Sequence, residues 1–180
     1  VFGQPCYSLS NKDVSVLVTV QGGCLTADFT CGGKTISPYY VSPWWGEALD
    51  PDVCPMVHMI RGDFFCFPMG DNKEPYNGIQ YPPHGQTAND NWNLVRWDTK
   101  GKDREVELTM RLDNQEGVVN KIIKITEGEP VIYSQHVITG FEGKIPIGCH
   151  PNLQFPDREN AGFVDMSEPM TGFTTPIPFE

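Results

Sequence analysis

Positive charge is scarce in this sequence. Lys and Arg number 13 against 23 Asp and Glu, giving a formal charge of −10. That balance does not suit a phosphate backbone or an anionic membrane surface, so neither nucleic acid nor membrane is an expected partner. A neutral ligand is left open. Long apolar runs are missing as well, and none reaches the length of a bilayer span. No basic-then-apolar start resembles a signal peptide. The chain opens Val1-Phe2-Gly3 and closes Pro178-Phe179-Glu180. Both ends read as cut or processed, which keeps a removed leader among the readings. Sustained 3.6-residue apolar periodicity is also lacking, so little helix is expected.

Metal-binding spacing is absent in turn. The four histidines show no His-x-His or His-x-x-x-His pair, and no two of the six cysteines are spaced C-x-x-C. No metal and no cofactor is expected. Cys6, Cys24, Cys31, Cys54, Cys66 and Cys149 read mostly as small buried hydrophobes. A chain this long does not need disulfide staples. A reducing, cytoplasmic compartment follows from that reading.

What is present is turn-forming and strand-forming. There are 18 Gly and 16 Pro among the 180 residues, and 39% of the residues are hydrophobic. This favours an all-β class with many turns, in one domain over residues 1–180. Val14, Val16, Val18 and Val20 alternate with Ser15, Leu17 and Thr19 until Gly22-Gly23 breaks the run. An extended pattern resumes from Cys24 to Thr30. Val106, Leu108, Met110 and Leu112 make an apolar face opposite Glu105, Glu107, Thr109 and Arg111, as a half-buried antiparallel strand requires. Val118 to Thr126 and Val131 to Phe141 read as strands joined by a turn at Glu127-Gly128-Glu129-Pro130. A further strand starts over Ile145 to Cys149. The segment from Pro38 to Tyr81 reads as long loops with short strands between them, where ligand sites commonly lie. The tail from Asp157 reads as a linker.

Three segments combine residue types that could carry chemistry. In Ile60-Arg61-Gly62-Asp63-Phe64-Phe65-Cys66-Phe67-Pro68-Met69-Gly70, Arg61 offers a planar fork of donors; it could equally be a surface Arg beside a buried strand. In Tyr81-Pro82-Pro83-His84-Gly85-Gln86-Thr87-Ala88-Asn89-Asp90-Asn91-Trp92, two prolines fix the approach to His84 and Gly85 permits a sharp turn. Gln86, Asn89 and Trp92 add the mixture of polar groups and apolar platform that a sugar needs. In Gly148-Cys149-His150-Pro151-Asn152-Leu153-Gln154-Phe155-Pro156, His150 ends a strand and could face a cleft, able to give and take a proton near neutral pH. Both histidines could instead be hydrogen-bonded structural residues. His58 and His136 read as structural. Trp44-Trp45 could line a cleft or pack in the core.

Taken in order, these segments resemble the aldose 1-epimerase superfamily, with the hexose-6-phosphate mutarotase-like branch nearest in flavour. Asn11, the valine strand and Gly22-Gly23 are similar to that family's opening strands. The resemblance covers roughly residues 8 to 156. It implies an antiparallel β-supersandwich of the galactose mutarotase kind that binds a free small-molecule carbohydrate and interconverts its anomers by acid/base ring opening. It implies His150 as the acid that protonates the ring oxygen, and His84 as the second active-site histidine that binds and polarises the sugar. It gives Arg61 as a contact to hydroxyls or a phosphate; Gln86, Asn89 and Trp92 are expected to line the site on their own residue chemistry.

The sequence departs from the family in two places. The family's general base is a Glu far downstream of the second histidine. Glu159, Glu168 and Glu180 follow His150 here without that context. The expectation is a sandwich lacking C-terminal strands, completed by a missing segment or a second chain. The alternatives are a non-catalytic carbohydrate-binding or sugar-sensing domain, or a supersandwich domain of a larger carbohydrate-active enzyme. The second departure is Ala88, where the phosphosugar branch carries an Arg, which counts against a phosphorylated substrate.

Overall fold

A computed structural model describes residues 1–163, 165 and 167. Its strands are β1 (Cys6–Ser10), β2 (Val14–Thr19), β3 (Leu25–Cys31), β4 (Lys34–Ile36), β5 (Asp63–Cys66), β6 (Asn93–Lys100), β7 (Asp103–Arg111), β8 (Val118–Thr126), β9 (Ile132–Thr139) and β10 (Gly148–Pro151). The only helical pieces among the described residues are a 3-10 turn over Pro55–Met59 and one turn of α-helix, α1, over Gln86–Asn89. Among the described residues no helix is long and apolar enough to cross a membrane.

The strands form two sheets. The larger runs β1-β2-β3-β5-β10, with β4 attached to β3; the smaller runs β6-β7-β8-β9. All strand pairings are antiparallel. Val16, Val18, Leu25 and Phe65 from the first sheet meet Val106, Leu108, Met110, Val119, Ile123 and Ile125 from the second in one buried core. The fold is therefore the all-β antiparallel sandwich that the sequence predicts. Period-2 alternation decides which side chains enter that core. On β7, Val106, Leu108 and Met110 are buried while Glu105, Glu107 and Thr109 are only partly covered.

The loops that start the sandwich are fixed by specific bonds. Asn11 Oδ1 accepts the backbone N–H groups of Asp13 and Val14 at 2.8 Å each, closing the β1–β2 turn. Its Nδ2 donates to the Thr126 carbonyl at 3.0 Å, tying that turn to β8 of the other sheet. The β8–β9 turn falls over Glu127 to Pro130 as expected, with the Glu129 N–H donating to the Thr126 carbonyl at 3.1 Å.

Four elements differ from expectation. β1, β4 and β6 were not anticipated; all eight residues of β6 are exposed, including Leu94, Val95 and Trp97. A strand with no buried face carries no alternation to read. β10 begins at Gly148 and not at Ile145. The Pro38–Tyr81 segment is as irregular as its composition suggests, holding isolated bridges at Tyr39 and Val41, the 3-10 turn and β5.

Candidate functional site

The site is built on the face of the larger sheet that points away from the smaller one. On that face β5 presents Phe64 and Cys66, and β10 presents His150. Phe64 and His150 are cross-strand partners. Their rings stack at 4.7 Å with 11° between planes. Phe64 is fully buried and so supplies a fixed apolar floor under the imidazole. Cross-strand aromatic pairs of this kind hold their own orientation.

His84 reaches the same place from a loop. Its backbone sits at φ +59°, a left-handed conformation costly for a residue with a Cβ. The His84 N–H donates to the Gly70 carbonyl at 2.7 Å, and the Gly85 N–H to the Pro82 carbonyl at 2.9 Å. Gly85 is required: a Cβ there would stand 2.0 Å from the Phe67 carbonyl oxygen. Held in this way, the His84 ring meets the His150 ring edge to face, with centroids 5.0 Å apart and 77° between planes. It also lies edge-on to Phe64 at 5.9 Å. Two histidines separated in sequence by α1 and all of β6 to β9 thus share one small apolar patch.

The electrostatics follow from that crowding. Burial, and then the neighbouring His150, push His84 below the usual imidazole range, against an upward pull from Asp71. Among the described residues no carboxylate is hydrogen-bonded to either ring. Glu159 is exposed in a turn, and Glu168 and Glu180 lie outside the described residues. No group of three His, Cys, Asp or Glu among the described residues could hold a metal ion.

The other expected contacts are placed within the scaffold. Arg61 is 2% exposed, and its guanidinium donates to the carbonyls of Met59, Val1 and Phe2 at 3.2, 3.0 and 3.1 Å. Two of the three nitrogens tie the N-terminal segment down, and Nε closes on the nearby Met59 carbonyl. Asn89 Nδ2 donates to the carbonyls of Pro83 and Gly85, while its Oδ1 accepts from Cys54 Sγ and the Met56 N–H. It braces the His84 loop and leaves no polar atom for a ligand. Trp92 is 1% exposed, with its indole N–H on the Thr87 carbonyl at 3.0 Å, so it offers a ligand no face. Gln86 Nε2 donates to the Arg111 carbonyl and its Oε1 accepts the Asp113 N–H, clamping α1 to the end of β7. Of the expected set, His84 and His150 are brought together. Asn89 and Trp92 are buried with their polar atoms bonded within the scaffold, half-buried Gln86 clamps α1 to the end of β7, and Arg61 holds the N-terminal segment. Ala88 is fully buried under Phe64 and Cys66, so that position presents no cation.

No family model matches the sequence, and no curated protein matches it. Among solved structures the chain is similar to the crystal structure of YeaD from Salmonella typhimurium, a protein provisionally assigned as a mutarotase. The TM-score is 0.47 at 15% identity, over 66% of this chain and 39% of that one. The chain therefore spans about two-fifths of the length of that protein.

Sequence reading missed a second polar group, on the inner side of the sandwich. Lys121 on β8 is 1% exposed, lies in register opposite His136 on β9, and its Nζ has no hydrogen-bond partner. Asp63 Oδ1 and His136 Nε2 are also buried without partners. Burial pushes the Lys121 amine down and the Asp63 carboxyl up, and each charge opposes the shift of the other. His136 stacks on Phe65 at 4.1 Å, and burial with the Lys121 charge lowers its pKa to about 3. The signal was present: Lys121 stands in the same period-2 phase as Val119, Ile123 and Ile125. The cysteines are all unpaired, but only Cys24 and Cys66 are fully buried, and Cys31 and Cys149 are exposed. The expectation of mostly buried thiols therefore holds for a minority. Exposed Trp45 packs edge-on to Phe2 at 5.5 Å, while Trp44 donates to the Val57 carbonyl at 2.8 Å.

Proposed function

We propose that this chain is a carbohydrate-binding sandwich of the aldose 1-epimerase kind, whose paired histidines take part in exchanging the anomers of a free sugar. The observation that carries the reading is the meeting of His84 and His150 at 5.0 Å over Phe64. The motifs that resemble the family are the ones whose histidines converge. Opening a pyranose requires a proton on the ring oxygen and removal of one from the C1 hydroxyl. His150 gives the first proton. His84, kept neutral by burial, donates a hydrogen bond and polarises the sugar. The C1 proton passes to a carboxylate. We place that carboxylate on a C-terminal segment or second chain that joins the sandwich at the β9 and β10 edges, which have no further strand partner among the described residues.

The substrate in this reading is an unphosphorylated aldose, since Ala88 is buried and the Arg61 guanidinium is spent on backbone carbonyls. Polarimetry or NMR of freshly dissolved α-glucose and α-galactose tests the reading. Anomer exchange faster than the uncatalysed rate, lost in His150→Ala, is the expected result. Equal rates with parent and variant would remove His150 from the chemistry. A second reading is a sugar-binding domain without catalysis, favoured by the lack, among the described residues, of a carboxylate bonded to either histidine. It predicts saturable binding of the same sugars with no gain in exchange rate.

A further inference from the structure

We propose that Cys66 is a positioning residue for His84, its thiol donating to Nδ1 and so fixing the neutral ring with its proton on Nε2. Its part in catalysis rests on the anomer-exchange reading above; the placement of the proton rests on local geometry alone.

Cys66 Sγ lies 3.8 Å from His84 Nδ1, within reach of a sulfur hydrogen bond. Cys66 is 0% exposed, enclosed by Cys24, Met56, Phe64 and Ala88, so its S–H has no water to bond. Burial, first among several causes, raises the thiol to about 12, so it stays protonated across the range in which proteins fold. A thiol sulfur is a weak acceptor, whereas the bare nitrogen of a neutral imidazole is a good one. The bond therefore runs from S–H to Nδ1. The His84 ring has little freedom to avoid it. Its backbone is locked in the left-handed region, and its N–H is bound to Gly70. Its ring edges meet Phe64 and His150.

The groups that act on His84 come from three directions: Cys66 on β5, His150 on β10, and Asp71 on the loop that follows β5. Burial and His150 disfavour the imidazolium, so the ring is neutral near neutral pH and carries one proton. With Nδ1 accepting from sulfur, that proton is on Nε2. His84 is then a hydrogen-bond donor through its other nitrogen, and Nε2 is unable to act as a base. The two histidines separate in role: His84 donates without exchanging its proton, and the proton that moves belongs to His150. Such second-layer partners commonly fix an imidazole tautomer.

The test is long-range 1H–15N correlation on histidine-labelled protein near neutral pH, which distinguishes the two tautomers of each neutral ring. The native His84 is expected as the Nε2–H form. Cys66→Ser keeps a donor and keeps that form. Cys66→Ala removes it, and His84 becomes a mixture of both tautomers. In anomer exchange Cys66→Ala is expected to lower kcat by about tenfold or less with KM little changed, and Cys66→Ser to restore most of the loss. A native His84 protonated on Nδ1, or an unchanged Nε2–H form in Cys66→Ala, overturns the proposal. If Cys66→Ala does not fold, the native and Cys66→Ser spectra still decide. An Nε2–H ring in a native protein that fails to exchange anomers sinks the functional reading and leaves this assignment standing.

Discussion

His136 makes the fold sensitive to acid. Its folded pKa is about 3 against an ordinary 6.5, so the unfolded chain binds its proton first as pH falls. Stability is therefore expected to drop between about pH 6.5 and 3, by on the order of 1.4 kcal/mol per pH unit from this one group. Above that window the contribution is complete. His136→Gln flattens the dependence, which urea unfolding at a series of pH values measures. At the proposed site, His150→Ala abolishes anomer exchange while leaving the melting temperature within a few degrees, since only the imidazole that stacks on Phe64 is lost. The two site histidines were legible in the sequence because each stands beside residues that force a turn or end a strand. The burial of Arg61, Asn89 and Trp92 was not. A side chain's chemistry shows what it could bind, but not which backbone carbonyls take it up: remote Val1 and Phe2 for Arg61, and nearby Pro83, Gly85 and Thr87 for Asn89 and Trp92. Cys66 lay inside a recognised motif, yet its contact with His84 depends on how a loop returns over β5.

Strands β5 and β10 set Phe64, Cys66 and His150 while a loop sets His84; one substitution tests that loop and another tests the turn that ties the two sheets. Gly85→Ala forces a Cβ against the Phe67 carbonyl at φ +79° and is expected to cost more than about 2 kcal/mol. It should also weaken sugar binding, because the backbone of His84 shifts with it. Asn11→Ala removes three hydrogen bonds at a turn that links the two sheets, and denaturant titration should find it about 1–2 kcal/mol less stable. Strands with one wet and one dry face were readable: the expected bounds of β8 match the structure, and those of β2, β3 and β7 come close. β9, none of whose residues is fully buried, was readable from the turn that precedes it. Alternation is the physical imprint of half-burial. β6, with no buried residue, leaves no such imprint, and short β1 and β10 give too few residues to establish a period.

At the scale of the whole molecule, the described residues leave β9 and β10 as sheet edges, and apolar Tyr133, Ile147, Leu153 and Phe155 stand exposed on or near them. Unpaired edges with apolar neighbours invite further strands. Sedimentation of this chain is expected to show association that grows with concentration, and Tyr133→Lys with Gln135→Lys on β9 should reduce it. A monomer at all concentrations would count against open edges. Trp92 has a consequence of another kind. Gly23 lies so close under its indole that a Cβ there would come within 2.8 Å of Nε1, and Thr87 holds the ring from the turn that follows His84. Trp45 and Trp97 face solvent. The chain therefore carries its own optical gauge: a blue-shifted emission from one dry indole, set against two wet ones and half-buried Trp44, that reddens when the segment behind the paired histidines loosens.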